Sequence, residues 1–267
     1  MSAVLAQPQP PAPDAEREVV IRGRGITVGF GERKVLENLD IDVYRGEILG
    51  IVGASGTGKS VLLRTILGLQ PKQAGTVEIL GTPYDEADAN TRASIDRRLG
   101  VLFQQGALFS SLTVLQNVEF PMREHLHLSS RLMDELARVK IELVGLAPEA
   151  AERAPSELSG GMIKRASLAR ALALDPDIVF LDEPTSGLDP IGADEFDKLI
   201  ATLRDTLGLT VFMVTHDLDS LHTVCDRIAV LGDRHVLIEG TIEDMLAFDH
   251  PWVQQYFHGV RARRREA

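Results

Sequence analysis

The chain has 267 residues, 44% of them hydrophobic and 25% charged, which is ordinary for a globular protein with a sizeable core. Its formal net charge of −11 argues against a general nucleic-acid binder, because such proteins usually carry a basic face. A single cysteine, Cys225, excludes an internal disulfide framework and most zinc sites.

The first 16 residues are predicted to be a disordered tail, because a proline-rich segment at 7–11 dominates them and few apolar residues accompany it. They lack the basic region and the apolar core of a secretory signal peptide. No apolar run in the chain approaches the ~18 residues that a membrane span needs. We therefore expect the protein to remain in the cytosol.

Strands and helices are predicted from residue 19 onward. Short apolar and β-branched runs predict strands at 19–21, 26–28, 39–43, 48–52, 76–79 and 99–103. A helix is predicted at 59–69. Helical spacing then dominates residues 106–172, with candidates at about 114–125, 129–145 and 159–174. Ser129 or Ser130 is the expected N-cap of the middle helix, and Gly145 its end.

The second half of the chain returns to alternating strands and helices. Strands are predicted at 177–181, 210–214 and 228–231, and an amphipathic helix at 193–207. Gly232 and Asp233 predict a hairpin turn into a strand at 235–239, and residues 250–257 predict a short terminal helix. This alternation predicts an α/β fold with a mostly parallel, covered sheet that carries the helical region as an insert.

The most informative motif is GASGTGKS at 53–60, which matches the phosphate-binding P-loop and lies between a predicted strand and a helix. Its glycines let backbone N–H groups turn toward phosphate oxygens, and the helix N-terminus adds partial positive charge. Lys59 is expected to reach the β- and γ-phosphates, and the Ser60 hydroxyl to bind Mg²⁺. The predicted phosphate-binding residues are Gly53, Ser55, Gly56, Gly58, Lys59 and Ser60.

Two acids, Asp182 and Glu183, directly follow the apolar strand predicted at 177–181. The carboxyl ends of strands are where α/β sheets hold their ligands. We expect Asp182 to bind Mg²⁺ through water and Glu183 to polarise the water that attacks the phosphate.

The segment LSGGM at 158–162 lies upstream of these acids. Ser159 is a candidate N-cap for the helix that follows it. Gly160 and Gly161 would bring backbone N–H groups close to an anion. By themselves these residues also fit an ordinary helix start with permissive glycines.

In order and spacing, these motifs resemble those of ATP-binding-cassette (ABC) nucleotide-binding subunits over residues 18–245. The resemblance implies a P-loop NTPase cassette with a mostly parallel core sheet, an antiparallel β subdomain and a helical subdomain at about 106–172. The ATPase domain would span 17–248. A C-terminal helix and a basic tail would occupy 249–267.

The same resemblance implies roles for further residues. Gln104 matches the Q-loop glutamine, which contacts Mg²⁺ and water and faces the permease, although Gln105 is a competing assignment. His216 matches the switch histidine that contacts the γ-phosphate. Asp189 matches an aspartate at the dimer interface, and Phe30 takes the position of the aromatic ring on which adenine stacks.

Partners are also implied by the resemblance. A homodimer would close two ATP sites, with Ser159, Gly160 and Gly161 of one copy facing the P-loop of the other. The dimer would power an integral membrane permease from the cytoplasmic face of the inner (plasma) membrane, as a peripheral subunit, without binding nucleic acid. The permease would dock after Gln104, near Leu108, Phe109 and residues 121–125.

One departure from the common family pattern narrows the resemblance, because the signature ends in Met162 instead of Gln. This ending, together with segments 102–109, 121–125 and 164–171, is similar to the ATPases of Mla/MCE-type lipid transporters. Phospholipid transport and an MCE-type lipid-binding partner are expected from that similarity. The basic residues at 261–265 either meet anionic lipid headgroups or form a solvated tail.

Other functional classes fit less well. A small GTPase needs an Asn-Lys-x-Asp segment, which the chain lacks, and a P-loop kinase has no use for the 158–162 signature. ABC ATPases of DNA repair carry long coiled coils or zinc modules, and those of translation carry two cassettes. A lipoprotein-release or amino-acid uptake ATPase remains the alternative within transport.

Overall fold

The computed structural model describes residues 17–104 and 106–259. The predicted tail at 1–16, the competing glutamine Gln105 and the basic residues at 261–265 lie outside the described residues. Two sheets and a set of helices make up the described chain. The strands are β1 (Val19–Phe30), β2 (Arg33–Tyr44), β3 (Ile48–Gly53), β4 (Ala74–Ile79), β5 (Thr82–Pro83), β6 (Leu99–Leu102), β7 (Ile178–Asp182), β8 (Thr210–Val214), β9 (Arg227–Gly232) and β10 (His235–Gly240).

The larger sheet has six strands in the order β10-β9-β3-β8-β7-β6. All neighbouring pairs are parallel except β9 with β10. The smaller sheet is antiparallel, in the order β2-β1-β4-β5. The predicted α/β fold with a mostly parallel core sheet and an antiparallel β subdomain is therefore confirmed.

Among the described residues, the α-helices include all those predicted and three more. They are α1 (Lys59–Ile66), α2 (Ala89–Asp96), α3 (Val114–His125), α4 (Ser130–Leu143), α5 (Gly160–Ala171), α6 (Pro190–Leu207), α7 (Leu218–Thr223), α8 (Ile242–Ala247) and α9 (Pro251–Phe257). Helices α3 to α5 form the helical insert between β6 and β7. Within residues 17–104 and 106–259, no helix has the length and hydrophobicity of a membrane span.

Local signals fix the helix ends. The Ser129 side chain caps α4 by accepting from the N–H of Leu132, and Gly145 follows this helix at φ 75°. The hairpin turn expected at Gly232 and Asp233 lies one residue later in the chain. Asp233 and Arg234 occupy the hairpin turn at φ 46° and 71°, while Gly232 is still part of β9.

The central strands are apolar on both faces because alternate side chains point to opposite faces and both faces are buried. In β7, Val179 and Leu181 pack into the core shared with the helical insert, whereas Ile178 and Phe180 pack on the opposite side. The rings of Phe180 and Phe212 lie 5.5 Å apart between their centroids. The central strands are therefore packed between two hydrophobic clusters, and the positions of the strand ends follow from that packing.

Asp197 on α6 is a buried carboxyl that has only partial hydrogen bonding. Its Oδ2 accepts from the Ser220 hydroxyl at 2.6 Å, and its Oδ1 has no hydrogen-bond partner among the described residues. Burial raises its pKa from 3.8 to about 6, helped by the negative charges of Asp217, Asp194 and Asp219. Ionised Asp197 therefore destabilises the folded state.

We predict that Asp197→Asn raises the free energy of unfolding at pH 7.5 by about 1–3 kcal/mol. Because the folded pKa is raised, stability from this group is complete below pH 4 and is lost as pH rises through 6. The variant should therefore gain only about a third as much at pH 4.5. Thermal unfolding at both pH values checks this, with Asp205→Asn on the exposed side of α6 as control. Equal gains at both pH values would contradict the assignment.

Candidate functional site

The P-loop connects β3 to α1 at the carboxyl edge of the parallel sheet. Gly56 and Gly58 adopt φ of 81° and 104°, which favour glycine. Neighbouring atoms also exclude a side chain at Gly58, because a Cβ there would lie 2.8 Å from Cδ2 of Leu36. Thr57 closes the loop by donating its hydroxyl to the Ala54 carbonyl at 2.9 Å.

Lys59 and Ser60 begin α1 and point back to the loop and the neighbouring strand end. The Nζ of Lys59 donates to the carbonyl oxygens of Gly53 at 2.8 Å and Ala54 at 3.1 Å. Burial lowers the Lys59 pKa, and the charges of Glu183 and Asp182 oppose that effect. The cation is therefore held at the mouth of the P-loop.

Asp182, the last residue of β7, faces the start of α1. Its Oδ1 accepts from the Ser60 hydroxyl at 3.2 Å. Burial raises its pKa, so a nearby cation would stabilise the ionised form. A hydroxyl and a carboxylate brought together in this way fit Mg²⁺, which prefers oxygen ligands.

Glu183 lies directly beyond the strand in a left-handed conformation, with φ of 52°. Its N–H donates to the Val214 carbonyl at 2.8 Å, which ties it to the end of β8. Its Oε2 contacts Nδ1 of His216. The structure thus brings the predicted acid and the predicted switch histidine into direct contact.

Two residues at this edge were not predicted from the sequence. The Nζ of Lys164 on α5 donates to the carbonyl oxygens of Gln104 at 2.6 Å and Glu183 at 2.9 Å. The Tyr256 hydroxyl on α9 donates to the His216 carbonyl at 2.8 Å. Lys164 thereby joins the backbones of Gln104 and Glu183, and Tyr256 ties the backbone of His216 to α9.

Two other predicted residues, Ser159 and Asp189, cap helices. Ser159 caps α5 by accepting from the Met162 N–H at 3.3 Å, and the helix start is open, since a Cβ on Gly160 would meet nothing within 4 Å. Asp189 is exposed and caps α6, accepting from two backbone N–H groups at 3.1 Å.

The predicted adenine-stacking ring lies at the end of β1. Phe30 is 54% exposed and pairs with Arg33 across the β1–β2 hairpin. A polar groove of about 440 Å³ lies beside this hairpin, and its lining includes residues 32–35, Gly56, Thr57, Asp233 and Arg234. The hairpin that carries Phe30 therefore borders the P-loop.

Comparisons with known proteins agree with this geometry. A family model described as ABC transporter matches residues 36–186, which include the P-loop, the 158–162 signature and the Asp182-Glu183 pair. The chain is 41% identical over 243 residues to the intermembrane phospholipid transport system ATP-binding protein MlaF of Haemophilus influenzae, and the alignment covers 90% of each chain.

Two further similarities extend the comparison. The "Probable ribonucleotide transport ATP-binding protein mkl" of Mycobacterium leprae is 39% identical over 243 residues, which cover 91% of this chain and 70% of that protein. A solved dimeric ATP-binding cassette in a post-hydrolysis state, bound to ADP and Pi, superimposes with a TM-score of 0.76 at 32% identity. That match covers 83% of this chain and 98% of the other.

Proposed function

This chain belongs to the ABC transporter family as an ATP-binding subunit, and from that premise we propose that it powers a permease for phospholipid or a related hydrophobic substrate. The chain is an ATPase of that family. The phospholipid assignment follows the name of the MlaF relative. The mkl relative carries a different substrate in its name, so ribonucleotide transport is the second candidate.

We assign the hydrolytic step to Glu183, and one observation supports this assignment. Its carboxylate lies beside His216 at the same strand edge as the P-loop lysine, and its own backbone is anchored on both sides. In this role the carboxylate orients a water and accepts its proton as the water oxygen attacks the γ-phosphorus. The products are ADP and phosphate.

The surrounding residues divide the remaining tasks. Lys59 and the P-loop N–H groups would bind the phosphates, and His216 would contact the γ-phosphate. Ser60 and Asp182, with Gln104, would hold Mg²⁺. When bound, that ion would neutralise phosphate charge. Phe30 would stack on the adenine ring.

Glu183→Gln should lower ATP turnover on the order of 100-fold or more, because the amide no longer accepts a proton. ATP affinity should stay within about threefold. Lys59→Ala should instead weaken ATP binding about 10- to 100-fold, because it removes a charge-assisted hydrogen bond. Steady-state hydrolysis and nucleotide titration measure both effects, with exposed Glu142→Gln as control. Wild-type turnover by Glu183→Gln would exclude the proposed role.

We also propose an ATP-dependent head-to-tail homodimer. The start of α5 is exposed and open in one chain, with Gly160 free of neighbours, so its N–H groups are accessible to a second copy. The phosphates of ATP would attract this helix N-terminus. The dimeric state of the similar ADP-bound cassette supports the arrangement.

Ser159→Arg should abolish hydrolysis while leaving ATP binding by the monomer intact, because a bulky cation would block the shared site. Ser129→Arg is a matched control. Ser129 caps α4 in the same way, with the same 3.3 Å hydrogen bond, so both variants lose a cap worth about 1 kcal/mol. Gel filtration of both variants with ATP in a Glu183→Gln background reports dimer formation. Normal hydrolysis by Ser159→Arg would contradict the shared site.

The permease would dock in a groove between β6 and the helical insert. The groove has a volume of about 310 Å³, and Phe109, Phe120, Pro121 and His125 contribute to its wall. The two phenylalanine rings lie 4.7 Å apart and are 44% and 37% exposed. An exposed aromatic pair beside a groove is typical of a protein interface.

A buried side chain, Asn117, holds this proposed docking wall in place. Asn117 accepts from the N–H of Phe109 at 2.8 Å and donates to its carbonyl at 3.1 Å. Leu108, by contrast, packs against the hydrophobic core and does not line the groove. Substitution of the aromatic pair should therefore disturb the hydrophobic core less than substitution of Leu108.

The chain would bind at the cytoplasmic face of the inner membrane as a peripheral subunit, beside an MCE-type lipid-binding subunit.

The double variant Phe109→Asp/Phe120→Asp should lose copurification with the permease, since charge would be buried at the interface. Basal hydrolysis should stay within about twofold of wild type. Leu132→Asp/Val139→Asp, exposed on α4, is the control. Phospholipid should stimulate the wild-type complex. Stimulation by ribonucleotide alone would contradict the lipid assignment.

A further inference from the structure

Lys164 is a buried cation that the roles assigned above do not use. It lies one turn into α5, after the 158–162 signature, and is 5% exposed. Its two hydrogen bonds go to backbone carbonyls, those of Gln104 and Glu183. These two residues are 79 positions apart in the chain and follow neighbouring parallel strands, β6 and β7.

Burying an ammonium group is unfavourable unless its surroundings compensate. Two carbonyl oxygens accept from Lys164, and the nearby carboxylates of Glu183 and Asp182 favour its charged form, whereas burial lowers its pKa. Both of the hydrogen bonds that its Nζ donates within the described residues go to backbone carbonyls, and neither goes to a carboxylate. The side chain thus joins two backbone segments and does not simply pair with an acid.

The same face of α5 also holds Gly106 and Ala107, which lie just beyond Gln104 in the chain. The guanidinium of Arg170 donates to the carbonyl oxygens of Gly106 at 2.9 Å and Ala107 at 2.7 Å. A Cβ on Gly106 would lie 2.6 Å from Oγ of Ser167. Lys164, Ser167 and Arg170 are spaced by three residues and therefore share one helix face.

Glu183 is the end of this connection that carries the proposed hydrolytic carboxylate. Its φ of 52° is a conformation that side-chain-bearing residues rarely adopt, so neighbouring contacts must hold it. Val214 accepts from its N–H, and its carbonyl accepts from Lys164 and, at the longer distance of 3.2 Å, from the N–H of Ser186. Without Lys164, only the longer of the two bonds to this carbonyl remains.

We propose that Lys164 is a positioning residue for ATP hydrolysis, which fixes the Glu183 peptide relative to the Gln104 peptide. This inference rests on the proposed roles of Glu183 and Gln104. Since Gln104 leads into the segment that carries Phe109, the side chain of Lys164 also links the proposed permease groove to the hydrolytic carboxylate. Displacement of the segment would then displace Glu183.

The test compares two variants of the full-length chain in steady-state ATP hydrolysis. Lys164→Met removes both hydrogen bonds and should lower kcat about tenfold or more, with KM within about threefold, because nucleotide binding does not use this side chain. Lys164→Gln keeps an amide donor without the charge and should recover most of kcat. Lys140→Met is the matched control, since Lys140 is also buried in the insert but contacts Asp175 instead.

Thermal unfolding and ATP titration of each variant separate positioning from folding. A kcat equal to wild type in Lys164→Met would overturn the proposal. So would a loss of kcat that merely follows loss of stability, as judged by Lys140→Met, or a Lys164→Gln variant as slow as Lys164→Met. Failure of the Glu183 role would instead appear as normal hydrolysis by Glu183→Gln, whatever the Lys164 variants do.

Discussion

Parallel pairing of β3, β8, β7 and β6 is the constraint on which the site depends. Parallel strands end at the same edge, so pairing alone brings together the P-loop, Asp182, His216 and Gln104 from distant parts of the chain. The register pairs Val214 with both Ile51 and Asp182. Because these strand ends lie level with one another, the Ser60 hydroxyl can donate to Asp182 and the Glu183 N–H can donate to the Val214 carbonyl. A slip of the strands would separate these groups.

Helix α5 adds a second level of organisation to this edge. Its start is open to a partner, and its middle is bonded to the segment after β6 and to the Glu183 carbonyl. One helix therefore carries the proposed dimer surface and contacts both the proposed hydrolytic residue and the segment beside the proposed permease groove. Since helices transmit displacement along their length with little deformation, the geometry suits coupling between nucleotide and permease.

Contiguous motifs made much of this site predictable. The P-loop and the Asp182-Glu183 pair each lie within a few residues, and the central strands are unbroken apolar runs. Helix α2 gave no such signal, since only Ile95 is buried and the cap at Asp88 organises the rest. Lys164 and Tyr256 bond to backbone carbonyls 60 and 40 positions away in the chain, and a carbonyl is common to every residue. No local pattern marks such contacts.

The most direct measurement is a structure of the Glu183→Gln chain bound to Mg²⁺ and ATP. The predicted result is a dimer with two nucleotides, each between the P-loop of one copy and Ser159 of the other. Lys59 Nζ should bond to phosphate, and Lys164 should still join Gln104 to residue 183. Nucleotide bound away from the P-loop, or a closed dimer without Ser159 at the phosphates, would contradict the shared site at this sheet edge.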